Sequence, residues 1–116
     1  MDTELKLAIV TGGASGLGLA TATKLVENNI RTIIIGRNEQ NLKEVTANLG
    51  QLCHYKVCDL SNLKAIPNLV TEIITQYGKI DILVNNAGIN LKKAFTEVTD
   101  EEFELIIKTN LTSVLL

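Results

Sequence analysis

The chain alternates short, nearly uninterrupted apolar runs with longer stretches in which apolar residues recur every third or fourth position. Runs of the first kind suit strands covered on both faces, and stretches of the second suit helices with one buried side. Residues 6–10 form the first run. A glycine cluster interrupts it, after which Leu19, Ala22 and Val26 carry a helical repeat to about Asn28, with Asn29 as a left-handed exit. Residues 32–35 are rich in β-branched side chains and predict a second strand, ending at Gly36-Arg37-Asn38. A second helix follows on Leu42, Val45 and Leu49 and closes at Gly50. Residues 52–58 make a third, less apolar strand, which suits the edge of a sheet.

Ser61-Asn62 offers a cap for the next helix, whose Leu63, Ile66, Val70, Ile73, Ile74 and Tyr77 point to the core before Gly78 ends it. Pro67, the only proline, predicts either a kink or a short first turn with a fresh helix starting at the proline. Residues 80–84 are the fourth strand and run into Asn85-Asn86-Ala87-Gly88. Beyond a loop through Lys92 and Lys93, Thr99-Asp100-Glu101-Glu102 has the form of a capping box. Phe103, Ile107, Leu111 and Val114 then share one face of a predicted last helix, still periodic at Leu116. Strands and helices alternating in this way predict a parallel sheet with right-handed crossovers. The expected strand order is 3-2-1-4, with helices on both faces and a cleft at the carboxyl ends of strands one and four. Residues 1–116 read as one domain that stops short, leaving the fourth strand an open edge prone to self-association.

The interruption after the first strand is Thr11-Gly12-Gly13-Ala14-Ser15-Gly16-Leu17-Gly18. A pyrophosphate needs backbone N–H donors at close range and the positive end of a helix dipole, and a Cβ on the turn would hold it away. Gly12 allows the sharp exit from the strand, Gly16 the approach of the phosphates, and Gly18 the packing of helix on sheet. Thr11, Ser15 and Leu17 complete the candidate cofactor-binding turn. Its spacing is Thr-Gly-x-x-x-Gly-x-Gly, which differs from the Gly-x-Gly-x-x-Gly of many dinucleotide sites.

Composition narrows the function. Hydrophobic residues make up 46% of the 116 and charged residues 21%, an ordinary globular balance. A formal charge of −2 supplies no basic footprint for nucleic acid or an anionic membrane. No apolar run approaches the roughly 18 residues of a membrane span, and the first residues lack a signal-peptide pattern, so a cytoplasmic location is expected. Cys53 and Cys58 fall on opposite faces of the third strand and should not meet. With His54 as the only histidine, no metal spacing is present.

Four stretches in order resemble the classical short-chain dehydrogenases/reductases, along the whole chain: the Thr11-Gly12…Gly16…Gly18 motif, Asp59-Leu60 after the third strand, Asn85-Asn86-Ala87-Gly88 after the fourth, and Asn110. The resemblance implies a Rossmann-type three-layer α/β/α fold. It also implies that Asp59 accepts a hydrogen bond from the adenine amino group, with the Leu60 backbone beside it. Asn85 and Ala87 would border the adenosine ribose, Asn86 and Gly88 would hold the central sheet, and Asn110 would support a water in a proton relay. Arg37 stands where an acidic residue would receive the ribose 2′-hydroxyl of NAD, and its fork of donors suits a 2′-phosphate, so NADP is preferred over NAD. Ser15, in place of a basic residue, and the nearby Glu39 weigh toward NAD. Residues 88–93 are somewhat similar to the gluconate 5-dehydrogenase branch, where Lys92 or Lys93 would meet a sugar-acid carboxylate; read alone, the pair is a solvated one.

The implied reaction is hydride transfer between a nicotinamide and a carbonyl or secondary alcohol of a small molecule. In this family a tyrosine moves the proton, a lysine four residues later tunes it, and a serine orients the substrate. The tyrosines here are Tyr55 and Tyr77, followed four positions later by Asp59 and Asp81, so neither makes that pair. The chain is therefore expected to be the inactive cofactor-binding portion of such an oxidoreductase. The alternatives are a nucleotide-binding module without chemistry and an interaction protein that keeps the fold.

Overall fold

The computed structural model describes residues 5–14 and 16–86, with the backbone of residues 106–109 and 114–115. Its strands are β1 (Leu7–Thr11), β2 (Arg31–Gly36), β3 (Cys53–Val57), β4 (Ile82–Asn85), β5 (Ile106–Thr109) and β6 (Val114–Leu115). Its helices are α1 (Gly16–Glu27), α2 (Glu39–Leu49) and α3 (Ile66–Tyr77). The sheet order is β3-β2-β1-β4-β5-β6, which contains the expected 3-2-1-4. β1 to β5 pair in parallel, and β6 returns antiparallel to β5.

Parallel strands buried on both faces need apolar side chains at consecutive positions, and all five residues of β1 are buried. Alternate residues feed two separate cores. Ile9, Ile33, Ile35 and Leu83 face α3 and meet Ile66, Val70 and Ile73. Val10, Ile34, Ile82 and Val84 face the other way and meet Ala22, Leu42 and Val45 of α1 and α2. Each fully buried isoleucine contributes on the order of 1.5–3 kcal/mol, so β1 and β2 are the hydrophobic centre of the fold. Cys53 and Cys58 belong to opposite cores and remain free thiols.

Helix ends follow local chemistry. Asn29 has φ 65°, and the N–H groups of Asn29 and Ile30 close back on Val26 and Leu25 at 2.9 and 3.0 Å, a left-handed exit with both bonds of a Schellman motif. The Asn38 side chain accepts the Asn41 N–H at 3.1 Å at the start of α2. Gly50 and Gly78, at φ 95° and 99°, end α2 and α3. Pro67 takes the second of its two expected forms. A 3₁₀ turn at Leu63–Ala65 precedes α3, and the proline stands in its first turn, where its missing N–H costs nothing.

Four expectations need correction. Asn62 makes no side-chain cap bond, because the neighbouring Asp59 carboxylate already organises the turn through Ser61, and Leu63 is exposed in the 3₁₀ turn rather than buried. The last helix is not what residues 106–109 and 114–115 form: they are strands, with Leu83 opposite Ile107. Ile106-Ile107-Lys108-Thr109 is short, apolar and β-branched, so it fits either periodicity, and the unpaired ladder of β4 gives the extended form a partner. For the same reason β4 is not an open edge. Phe103, Leu111 and the capping box at Thr99 lie outside the described residues.

Candidate functional site

β1 hands the chain to α1 through the glycine turn. Gly12 and Gly16 have φ of 67° and 57°, a left-handed backbone that L side chains rarely adopt. The Gly12 N–H donates to the Ile35 carbonyl at 2.9 Å, which ties the turn to the end of β2. A Cβ on Gly18 would collide with the Gly12 carbonyl oxygen and lie 3.1 Å from Asn86 Nδ2. One on Gly13 would lie 2.7 Å from Ile34 Cβ. Gly13 is thus a packing glycine that the motif spacing passes over, and the Gly-Gly pair itself was its only signal. Gly16 differs: a Cβ there meets nothing within 4 Å. Open space beside a left-handed glycine, at the start of a helix with no acidic residue in its first turn, fits a pyrophosphate. Leu17 is exposed beside it.

Thr11 sits behind this turn. It is fully buried, its Oγ1 accepts the Asn86 N–H at 2.8 Å, and its hydroxyl faces the Val84 carbonyl at 3.4 Å and Asn85 Oδ1 at 3.3 Å. It therefore clamps the end of β4 to β1 and leaves its side chain no access to a ligand. Asn85 is likewise buried at 8% exposure. Asn86 packs near Gly12 and Gly18, and its side-chain amide is buried without a hydrogen-bond partner among the described residues.

At the carboxyl ends of β1, β2 and β3 lies a cleft of about 400 Å³, lined by Gly12, Ile35, Gly36, Arg37, Cys58, Asp59, Leu60 and Ser61. The Cys58 N–H donates to the Gly36 carbonyl at 2.8 Å and carries the β2/β3 ladder up to its floor. Leu60 is buried in the α3-side core and anchors the loop that Asp59 leads. Asp59 Oδ1 accepts from Ser61 Oγ at 2.6 Å and from the Ser61 N–H at 3.0 Å. These two bonds hold its carboxyl below the ordinary carboxylate value; burial opposes them, and the Arg37 guanidinium across the cleft, the weakest influence, adds to the lowering. Asp59 is an anion, ready to accept a hydrogen bond beside apolar walls.

Of the predicted site residues, Gly12, Arg37, Asp59 and Leu60 come together in this cleft, while Thr11 and Asn85 stand behind the turn. Ser15, Ala87, Gly88, Lys92, Lys93 and Asn110 lie outside the described residues. Ile35, Gly36, Cys58 and Ser61 were missed; their one signal was nearness to Arg37 and Asp59 at strand ends.

A parallel sheet with a glycine turn over its central strand, and a cleft at the carboxyl ends of β1, β2 and β3 rather than at those of β1 and β4, is the architecture of dinucleotide-binding α/β proteins. Residues 6–116 match the family model described as short chain dehydrogenase, and the chain belongs to that family. It is 37% identical over 112 residues to a 3beta-hydroxysteroid dehydrogenase of Mediterraneibacter gnavus, covering 93% of this chain and 41% of that protein. Among solved structures, a variant of actinorhodin polyketide ketoreductase with NADPH matches at a TM-score of 0.68 and 34% identity, covering 73% of this chain and 34% of that one. A metagenomic short-chain oxidoreductase in complex with NADP also matches at 0.68 and 34% identity, covering 72% and 39%. The chain spans about half the length, or less, of the curated relatives it matches.

Proposed function

We propose that this chain is the cofactor-binding portion of an NADP-preferring oxidoreductase that interconverts a carbonyl and a secondary alcohol of a small molecule. The observation that carries the reading is the convergence of Gly12, Arg37, Asp59 and Leu60 on one cleft. Ile35 and Leu60 wall an adenine, and Asp59 accepts from its amino group. Arg37 offers paired donors to a 2′-phosphate, and Gly12, Gly16 and the start of α1 receive the pyrophosphate. When bound, the dinucleotide supplies the hydride. The relatives solved with NADPH and NADP support the phosphorylated form.

These 116 residues hold no Tyr-x-x-x-Lys pair, and Asn110 alone moves no proton. General acid–base catalysis is worth roughly 10² to 10⁴ in rate, so the chain by itself binds without turnover. A cytoplasmic location completes the proposal.

Calorimetric titration with NADP and NAD tests the binding. Arg37→Asp is expected to reverse the preference, moving the affinity ratio by about tenfold or more for a charge-assisted contact of roughly 1.5–3 kcal/mol. A ratio that does not move removes Arg37 from the reading. Carbonyl reduction by the purified chain would overturn the assignment of binding without turnover.

A further inference from the structure

Glu39 stands two positions after Arg37, at the first residue of α2, and its charge opposes a 2′-phosphate. It does not line the cleft that Arg37 lines. Its carboxylate is engaged elsewhere: Tyr55 Oη donates to Glu39 Oε2 at 2.9 Å. Tyr55 lies on β3 opposite Ile34, and its ring packs against the core shared with α1 and α2. The phenol therefore presents its proton from an anchored ring with few rotamers left, while Glu39 sits on an exposed helix start and would otherwise sweep freely. The bond to Glu39 also pushes the Tyr55 hydroxyl above its ordinary value, so it remains a donor at neutral pH.

Resting on the NADP reading above, we propose that Tyr55 is a positioning residue for cofactor choice: it holds the Glu39 carboxylate off the 2′-phosphate position, so that Arg37 acts there without a competing acid. Released, the carboxylate of Glu39 repels a phosphate that carries about two charges, and at separations of several ångströms in solvent this lowers NADP affinity by about threefold to tenfold. NAD, which has a hydroxyl there, is unaffected.

The test is calorimetric affinity for NADP and NAD in the chain and four variants. Tyr55→Phe keeps the ring and is expected to lower the NADP-to-NAD affinity ratio by about threefold to tenfold, through NADP alone. Adding Glu39→Gln to Tyr55→Phe restores the ratio, which simple loss of packing would not allow. Glu39→Gln alone leaves the ratio within about twofold, because the carboxylate is already withdrawn. An unmoved ratio in Tyr55→Phe, no restoration in the double variant, or a large rise in Glu39→Gln overturns the role of Tyr55. Arg37→Ala separates the two readings. If it lowers the ratio while Tyr55→Phe does not, only the positioning role falls; if it leaves the ratio unmoved, or if neither dinucleotide binds the chain, the NADP reading falls and the positioning role with it.

Discussion

The two ends of the cleft are built by opposite means. At the turn after β1, left-handed backbone and close packing exclude side chains: Gly12 and Gly16 need positive φ, and Gly13 and Gly18 have no room for a Cβ. At the rim after β2 and β3, Arg37 and Asp59 are exposed side chains on ordinary backbone. On the proposed reading, the turn couples phosphate binding to folding, since one short glycine segment serves both. The rim is free to change specificity without disturbing the sheet.

Substitutions at the turn should cost the most stability. Gly18→Ala drives a methyl group into the Gly12 carbonyl, where the contact is backbone and cannot swing aside. Unfolding in urea should show a loss at or above the top of the roughly 1–3 kcal/mol that overpacking usually costs. Stability within about 0.5 kcal/mol of the parent chain, the range of an ordinary surface change, would mean the turn yields and the contrast with the rim is false. Thr11→Val keeps the shape but leaves the Asn86 N–H without its acceptor, for an expected loss of about 1–3 kcal/mol by the same measurement.

Gly16→Ala sharpens the comparison, because it separates strain from collision. Its left-handed backbone makes an alanine cost about 1–2 kcal/mol with no clash, and the new methyl occupies the open space assigned to phosphate. Affinities for NADP and NAD should fall together; an unchanged affinity would move the pyrophosphate elsewhere.

The smallest effect is expected at the rim. Asp59→Asn should leave stability at neutral pH close to that of the parent chain, as an exposed change does. Because the folded protein holds this carboxyl below its ordinary value of 3.8, first through Ser61 and then through Arg37, its contribution is complete above that value. It is lost as pH falls through the folded value. Urea midpoints of the two chains, followed from neutral pH into acid, should keep a constant difference down to about pH 4 and converge below it. Convergence near neutrality would show that the Ser61 turn does not hold the carboxylate.

Much of the turn was legible because its requirements are local. Gly12, Gly16 and Gly18 announce themselves as residues without a Cβ, and Asn29, Gly50 and Gly78 mark helix ends by the conformations they permit. Arg37, Asp59 and Leu60 were found through their places at the ends of predicted strands and through the family pattern. Gly13 was not, since its need depends on Ile34, a residue on another strand. Thr11 was assigned to the cofactor, yet its hydroxyl belongs to the junction with β4. Ser61-Asn62 was read as a helix cap, yet Ser61 closes a turn on Asp59; the same residue types serve both, and only the folded loop selects between them.

Periodicity and chain punctuation are short-range properties, and they were enough for β1 to β4 and α1 to α3, while the order of the central strands came from the fold pattern of dinucleotide-binding sheets. Each of those segments has one conformation that buries its apolar residues, whatever its neighbours do. Ile106-Ile107-Lys108-Thr109 has two, and the open hydrogen-bonding edge of β4 turned it into β5. The meeting of Arg37 with Asp59, and of Tyr55 with Glu39 sixteen residues away, likewise belongs to the assembled sheet. Parallel strands bring their carboxyl ends to one side of the molecule, so residues far apart along the chain share a cleft that no local pattern can describe.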